Sequence, residues 1–237
     1  MTDLNVTRDG HVALVEIDRP PNNFFDAPLI HGIADVFEAL DREPEVRALV
    51  LASAGKHFCA GANFGDAGGQ AERRTRRLED GNPLYDAAVR LFACRKPVVG
   101  AIQGAAVGGG FGLALVPDFR VVCPEARFSA NFVKLGFHPG FGLTWTLPRL
   151  IGRQRAALMF MTGRRIDGET ARDWGLAEVL TGRDQVREAA MVLAAEIAGN
   201  APLAVTSVRA TLRTGWAEAI RRQTDHEFAE QFRLQQT

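Results

Sequence analysis

The period of hydrophobic and polar positions changes several times along the chain, and each change marks an element. Residues 4–8 and 11–18 alternate in character around Asp9-Gly10, a two-residue turn signal, which predicts a β-hairpin. Arg19-Pro20-Pro21-Asn22-Asn23 breaks that alternation as a loop. Over 27–42, Leu29, Ile30, Ile33, Val36, Phe37 and Leu40 recur at helical spacing, and Pro44 closes the stretch. Segments 47–52 and 97–102 read as buried strands, and 71–94 reads as helix in two pieces divided by Gly81-Asn82-Pro83. A short buried helix is predicted over 109–116, then strands over 119–123 and 128–130. Beyond about residue 150, helical stretches dominate (153–162, 168–174, 184–199, 202–213 and 216–234), with one strand near 176–180. Strands alternating with helices and then helices alone make an α/β core followed by a helical region. The working division is 1–198 for the core and 199–237 for the C-terminal helices, within one functional unit.

Composition narrows the classes of function. Hydrophobic residues at 46% and charged residues at 24% are ordinary for a globular domain, and 28 basic residues balance 28 acidic ones. A neutral total argues against nucleic-acid binding driven by net charge. Arg73, Arg74, Arg76 and Arg77 form the densest basic cluster, but Glu72, Glu79 and Asp80 stand close by, as on a solvated, salt-bridged helix face. The three cysteines, Cys59, Cys94 and Cys123, are widely spaced and match no metal-ligand motif, which points to reduced thiols, no metal and a cytoplasmic setting. The first residues carry no signal-peptide pattern, and no apolar run reaches the ~18 residues of a membrane span.

Two glycine-bearing segments carry the chemistry. Lys56-His57-Phe58-Cys59-Ala60-Gly61-Ala62-Asn63-Phe64 and Gly104-Ala105-Ala106-Val107-Gly108-Gly109-Gly110-Phe111-Gly112 each form a bend after an apolar strand. Each ends where a backbone N–H is free to point at one spot, and two such groups make an oxyanion hole. Taken alone, a Gly-Gly-Gly run is also what a tight turn or close packing requires.

These segments, with others in order, resemble the crotonase family, the enoyl-CoA hydratase/isomerase superfamily, from residue 4 to about 234. The resemblance rests on Arg19 to Asn23, Phe58 to Phe64, Lys96-Pro97-Val98-Val99-Gly100-Ala101-Ile102-Gln103-Gly104 leading into Gly108-Gly109-Gly110, Phe128 to Leu150 with Leu147-Pro148-Arg149-Leu150-Ile151-Gly152, and Thr162-Gly163-Arg164-Arg165-Ile166 with Ala171-Arg172-Asp173-Trp174-Gly175-Leu176. It implies a crotonase-like spiral of ββα turns with a helical C-terminal region that assembles trimers or hexamers, and an acyl-CoA thioester as ligand with no cofactor beyond coenzyme A. By position it implies oxyanion donors at Ala62 and Gly109. It places Pro21, Asn22, Phe24, Ala60, Asn63, Phe64, Gly108, Gly112, Phe132, Leu135, Gly140 and Phe141 against the substrate. Members commonly run beyond the point matching Thr237.

The resemblance also implies what this chain does without. The two glutamates of the family's hydratases fall at Gly112 and Phe132, and a further acidic position of some isomerases falls near Gly140 and Phe141. None of these side chains moves a proton, so ordinary hydration is not expected. His138, in Gly136-Phe137-His138-Pro139-Gly140, is the leading acid/base candidate, since histidine titrates in the useful range. A histidine in a Gly/Pro loop also fits a plain hydrogen-bonded loop position. Lys134, Asp66 and His57 are weaker candidates. Three readings stay open: an acyl-CoA lyase, isomerase, decarboxylase or hydrolase with its proton carrier elsewhere; an acyl-CoA binder without turnover; and a relative moved to another partner, RNA through the arginine cluster being the least favoured.

Overall fold

The computed structural model describes residues 3–63 and 78–236. The predicted hairpin is β1 (Leu4–Asp9) and β2 (Val12–Ile17), paired antiparallel through the turn at Gly10. Helix α1 (Ala27–Asp41) starts on an Asp26 cap whose carboxylate accepts from Leu29 N–H, with a proline in its first turn. It buries Leu29, Ile30, Ile33, Phe37 and Leu40, the stripe that the spacing predicted. Strand β3 (Ala48–Ser53) is buried at every position, as expected for a central parallel strand.

Helix α2 (Pro83–Phe92) is the second piece of the 71–94 stretch, capped by Asn82. A 3-10 turn, Leu78–Asp80, precedes it. The arginine cluster, Glu72, Asp66 and Phe64 lie outside the described residues. Strand β4 (Val98–Ile102) leads to β5 (Ala105–Val107), α3 (Gly109–Ala114), β6 (Phe119–Val122) and β7 (Arg127–Ser129). A 3-10 stretch, Asn131–Leu135, then precedes α4 (Leu143–Ile151) and α5 (Arg153–Thr162). The chain continues through β8 (Arg165–Asp167), α6 (Gly168–Asp173) and β9 (Val179–Leu180). Three helices close it: α7 (Val186–Ala198), α8 (Pro202–Leu212) and α9 (Trp216–Leu234).

The strands form a six-stranded sheet, β1-β2-β3-β4-β6-β9, parallel after the first hairpin, and a three-stranded sheet, β5-β7-β8. Strand β5 corrects the expectation of one continuous glycine bend: Gly104 and Gly108 turn the chain, and the residues between them are extended. They are extended because they pair twice, with β7 on one side and with Cys59 on the other. That double pairing is what brings the two glycine segments together. Among the described residues, no single helix is long and apolar enough to cross a membrane, and no group of His, Cys, Asp or Glu is placed to hold a metal ion.

Candidate active site

The first glycine segment is held from three directions. Cys59 N–H donates to Ala105 O at 2.9 Å and Val107 N–H returns to Cys59 O at 3.0 Å, which ties it to β5. Ala60 N–H donates to Asn22 O at 3.0 Å and Phe25 N–H to Gly61 O at 3.0 Å, which ties it to the loop after β2. Asn23 supports the bend from below. It is fully buried, donates its amide to Ala54 O (2.8 Å) and His57 O (2.7 Å), and accepts from Arg19 N–H (2.9 Å). Both protons of the Asn23 amide and its oxygen are used, as a buried polar side chain requires.

Two glycines are necessary here for separate reasons. Gly61 has φ +90°, and a side chain on it would approach Val107 O to 2.8 Å; that same point lies 4.0 Å from Gly109 N. Only glycine takes this conformation and this closeness cheaply. Gly109 opens α3, and a Cβ on it would strike the ring of Phe25, with Cε1 at 2.8 Å. The segments carrying Ala62 and Gly109 are therefore neighbours in space although 47 positions separate the two residues in sequence. Among the described residues, no acceptor takes the N–H of Ala62 or of Gly109. Gly112 N–H and Phe111 N–H both turn back to Gly108 O, so the bonds of α3 begin after Gly109. Two uncommitted donors on neighbouring segments suit an oxygen that gains negative charge.

The space beside α3 is filled by aromatic side chains. At Gly112 a Cβ would meet Phe141 Cβ at 2.6 Å and Cδ1 at 2.8 Å. Phe141 is 1% exposed, holds φ +62° and packs its ring 5.7 Å from that of Phe25, which itself covers Gly109. Phe132 and Asn131 lie over Gly108, with Asn131 Oδ1 3.4 Å and Phe132 Cζ 3.8 Å from its Cβ position. Gly140 leaves room for Tyr85 and Gln231: the Tyr85 hydroxyl donates to Gln231 Oε1 at 2.9 Å, and Gln231 Nε2 reaches within 2.6 Å of the Gly140 Cβ position.

The remaining predicted residues divide into two groups. Asn22, Ala60 and Gly108 belong to the same cluster of loops, with Phe24 beside them half-buried, while Pro21 and Asn63 are exposed at its rim. Leu135 is exposed, and Lys134 lies along Gly163 at the end of α5. His57 Nδ1 accepts from Ala105 N–H at 3.4 Å, and burial, with Lys56 and Arg183 nearby, lowers its pKa; it joins the two segments as a neutral ring. His138 is half-buried, and its contacts among the described residues run to the C-terminal helix and to Pro139. Its ring stands edge-on to His226 (5.7 Å), Gln231 Nε2 donates to its carbonyl (2.8 Å), and its Nδ1 bonds Pro139 O (2.7 Å). A carbonyl only accepts, so Nδ1 carries the proton and Nε2 is left as the basic nitrogen.

Sequence reasoning did not single out Asn23, Phe25, Tyr85 or Glu227. For Glu227 a signal was available: Gln223, Glu227 and Gln231 recur every four residues on the predicted 216–234 helix, the spacing of one helix face.

Comparison with known proteins speaks to the family and the fold. The family model described as enoyl-CoA hydratase/isomerase matches residues 7–237. The probable enoyl-CoA hydratase EchA14 of Mycobacterium tuberculosis is 37% identical over 233 residues, covering 95% of this chain and 87% of that protein. Carnitinyl-CoA dehydratase of Proteus mirabilis is 34% identical over 211 residues, covering 89% and 80%. The crystal structure of an enoyl-CoA hydratase/isomerase from Pseudoalteromonas atlantica superposes with a TM-score of 0.88 at 24% identity, over 100% of this chain and 92% of that one, which speaks to the fold. The chain belongs to the enoyl-CoA hydratase/isomerase family, the crotonase superfamily.

Proposed function

We propose that this protein binds an acyl-CoA thioester with the carbonyl oxygen between Ala62 N–H and Gly109 N–H, and converts it through an enolate-like state. The observation that supports the proposal is the approach of Gly61 to Gly109, which brings together the two segments that carry these uncommitted N–H donors. Donors of this kind are worth about 3–4 kcal/mol each at the transition state. Phe25, Phe132 and Phe141 enclose an apolar acyl group beside them. No metal or redox group is called for by this chemistry.

The proton machinery differs from that of a hydratase. With Phe141 filling the space at Gly112, no acid there activates water. Reactions whose main demand is enolate stabilisation, such as loss of a carboxyl group from the α-carbon, fit the site better than water addition. Where a proton must be moved, His138 Nε2 is the candidate base. The assembly is proposed to be a homotrimer or a hexamer built from trimers. The exposed apolar residues of α8, Leu203, Val208 and Leu212, support burial against another copy.

A panel of CoA thioesters in deuterated water tests this reading: crotonyl-CoA, 3-hydroxybutyryl-CoA, butyryl-CoA and methylmalonyl-CoA, with products read by mass spectrometry. Deuterium at the α-carbon of at least one substrate or product is expected. Absence of both turnover and binding for every member would refute the proposal, and turnover unchanged in His138→Ala would remove His138 from the mechanism. Tight binding without chemistry would favour a binding protein.

A further inference from the structure

Glu227 is a charged side chain that the chemistry above does not use, and it is fully buried on α9. Its Oε2 accepts Gly142 N–H at 2.7 Å; its Oε1 accepts Thr144 N–H at 2.9 Å and the Thr144 hydroxyl at 2.5 Å. Gln223, one turn earlier, donates its Nε2 to Thr144 Oγ1 at 2.8 Å, so the Thr144 hydroxyl proton is directed at Glu227. One turn later Gln231 holds the carbonyl of His138. Three side chains on one face of α9 thus grip the 138–144 segment. Gly142 precedes α4 in a left-handed conformation (φ +72°) and offers no side-chain cap; Glu227 supplies from another element the acceptor that a capping side chain gives. Gly142 also follows Phe141 directly, and Phe141 is the wall that touches Phe25 and fills the space at Gly112.

We infer that Glu227 is a positioning residue for the acyl site: through Gly142 and Thr144 it fixes the Phe141 wall, and it couples docking of the C-terminal helix to the form of the site. This inference rests on the acyl-CoA reading above. The donor set calls for a carboxylate. Two backbone N–H groups reach different oxygens, so an amide would set its NH2 against one of them, and a protonated acid would accept more weakly through its hydroxyl oxygen. Burial raises the Glu227 pKa to about 7 against the opposing pull of the three donors. The charged groups on the elements packed around it include Asp86 and Arg90 on α2, paired with Arg221 and with Asp35 and Glu38, Arg149 on α4, bonded to Trp145 O, and the exposed Glu79 and Asp80 of the 3-10 turn; His138 bonds Pro139 O, and on α9 itself Glu230 pairs with Arg233. Loss of the negative charge would weaken the hold on Gly142 and Thr144, and through them on the wall.

The test measures affinity for butyryl-CoA and for free coenzyme A between pH 6 and 8, in wild type, Glu227→Gln and Glu227→Leu, with hydrogen exchange of the Gly142 and Thr144 amides alongside. Wild-type affinity for butyryl-CoA is expected to weaken up to about tenfold toward pH 6, the worth of one hydrogen bond, while free coenzyme A shows no such change. Glu227→Gln should bind butyryl-CoA at pH 8 as weakly as wild type does at pH 6, without pH dependence, and should lose protection at Gly142 or Thr144. A Glu227→Gln protein that binds like wild type throughout, with both amides equally protected, overturns the inference. If wild type binds no thioester, the acyl-CoA reading fails, and the exchange measurement alone decides whether Glu227 holds the segment.

Discussion

Gly112→Ala should destabilise this protein although alanine is the better helix former. Gly112 lies in α3, where alanine replacing glycine ordinarily gains about 1 kcal/mol. Here the three atoms nearest the added Cβ are all from Phe141, at 2.6, 2.8 and 2.9 Å, closer than carbon atoms tolerate. Phe141 is buried, its ring lies against Phe25, and the following residue is fixed by Glu227, so it has little room to yield. Overpacking of this kind costs about 1–3 kcal/mol, and the balance is a loss of up to about 2 kcal/mol, or roughly 4–8 °C in Tm for a chain of this size. In a Phe141→Gly background, which removes all three of these atoms at a position of positive φ and is itself at least about 3–5 kcal/mol less stable, the same change should become stabilising by about 1 kcal/mol. Urea denaturation of the four proteins measures both effects and their coupling. An equal effect of Gly112→Ala in both backgrounds would refute the packing account, and with it the explanation of why no acid is accommodated there.

Asn23→Ala removes three hydrogen bonds from a fully buried position and leaves the carbonyls of Ala54 and His57 without that donor; a loss of about 3 kcal/mol in urea denaturation and weaker butyryl-CoA binding are expected. Glu227 has a folded-state pKa raised from 4.5 to about 7. Its contribution to stability is therefore fully present below about pH 4.5 and is lost as pH rises through 7, by about 3 kcal/mol; denaturation of Glu227→Gln across this range should show a flatter profile than wild type. Burial pushes the thiols of Cys59 and Cys94 up to about 12 and raises that of Cys123. A thiol reagent at pH 8 should find none of the three in the native protein and all three in guanidinium.

Elements whose signal is local were legible in the sequence. The Asp9-Gly10 hairpin, the α1 stripe and the C-terminal helices each carry a period or a turn that acts over a few residues. Strands β5 and β8 were not legible, because three residues carry no usable period and their pairing partners are distant: Ala105–Val107 is extended only by virtue of Cys59 and β7. The same division runs through the site. Glycines at 61 and 109 announce a close approach, while the reason no side chain fits at 112 lies 29 positions away in Phe141. The role of Glu227 belongs to the same class, since what it holds is a backbone more than 80 residues earlier.

The central claim is that Ala62 N–H and Gly109 N–H together polarise a thioester carbonyl. Carbon-13 NMR of butyryl-CoA labelled at the carbonyl measures this directly, because two donors on the oxygen withdraw electron density from the carbon. Binding should move the resonance downfield of the free thioester. A bound thioester whose carbonyl resonates where the free one does would contradict the claim.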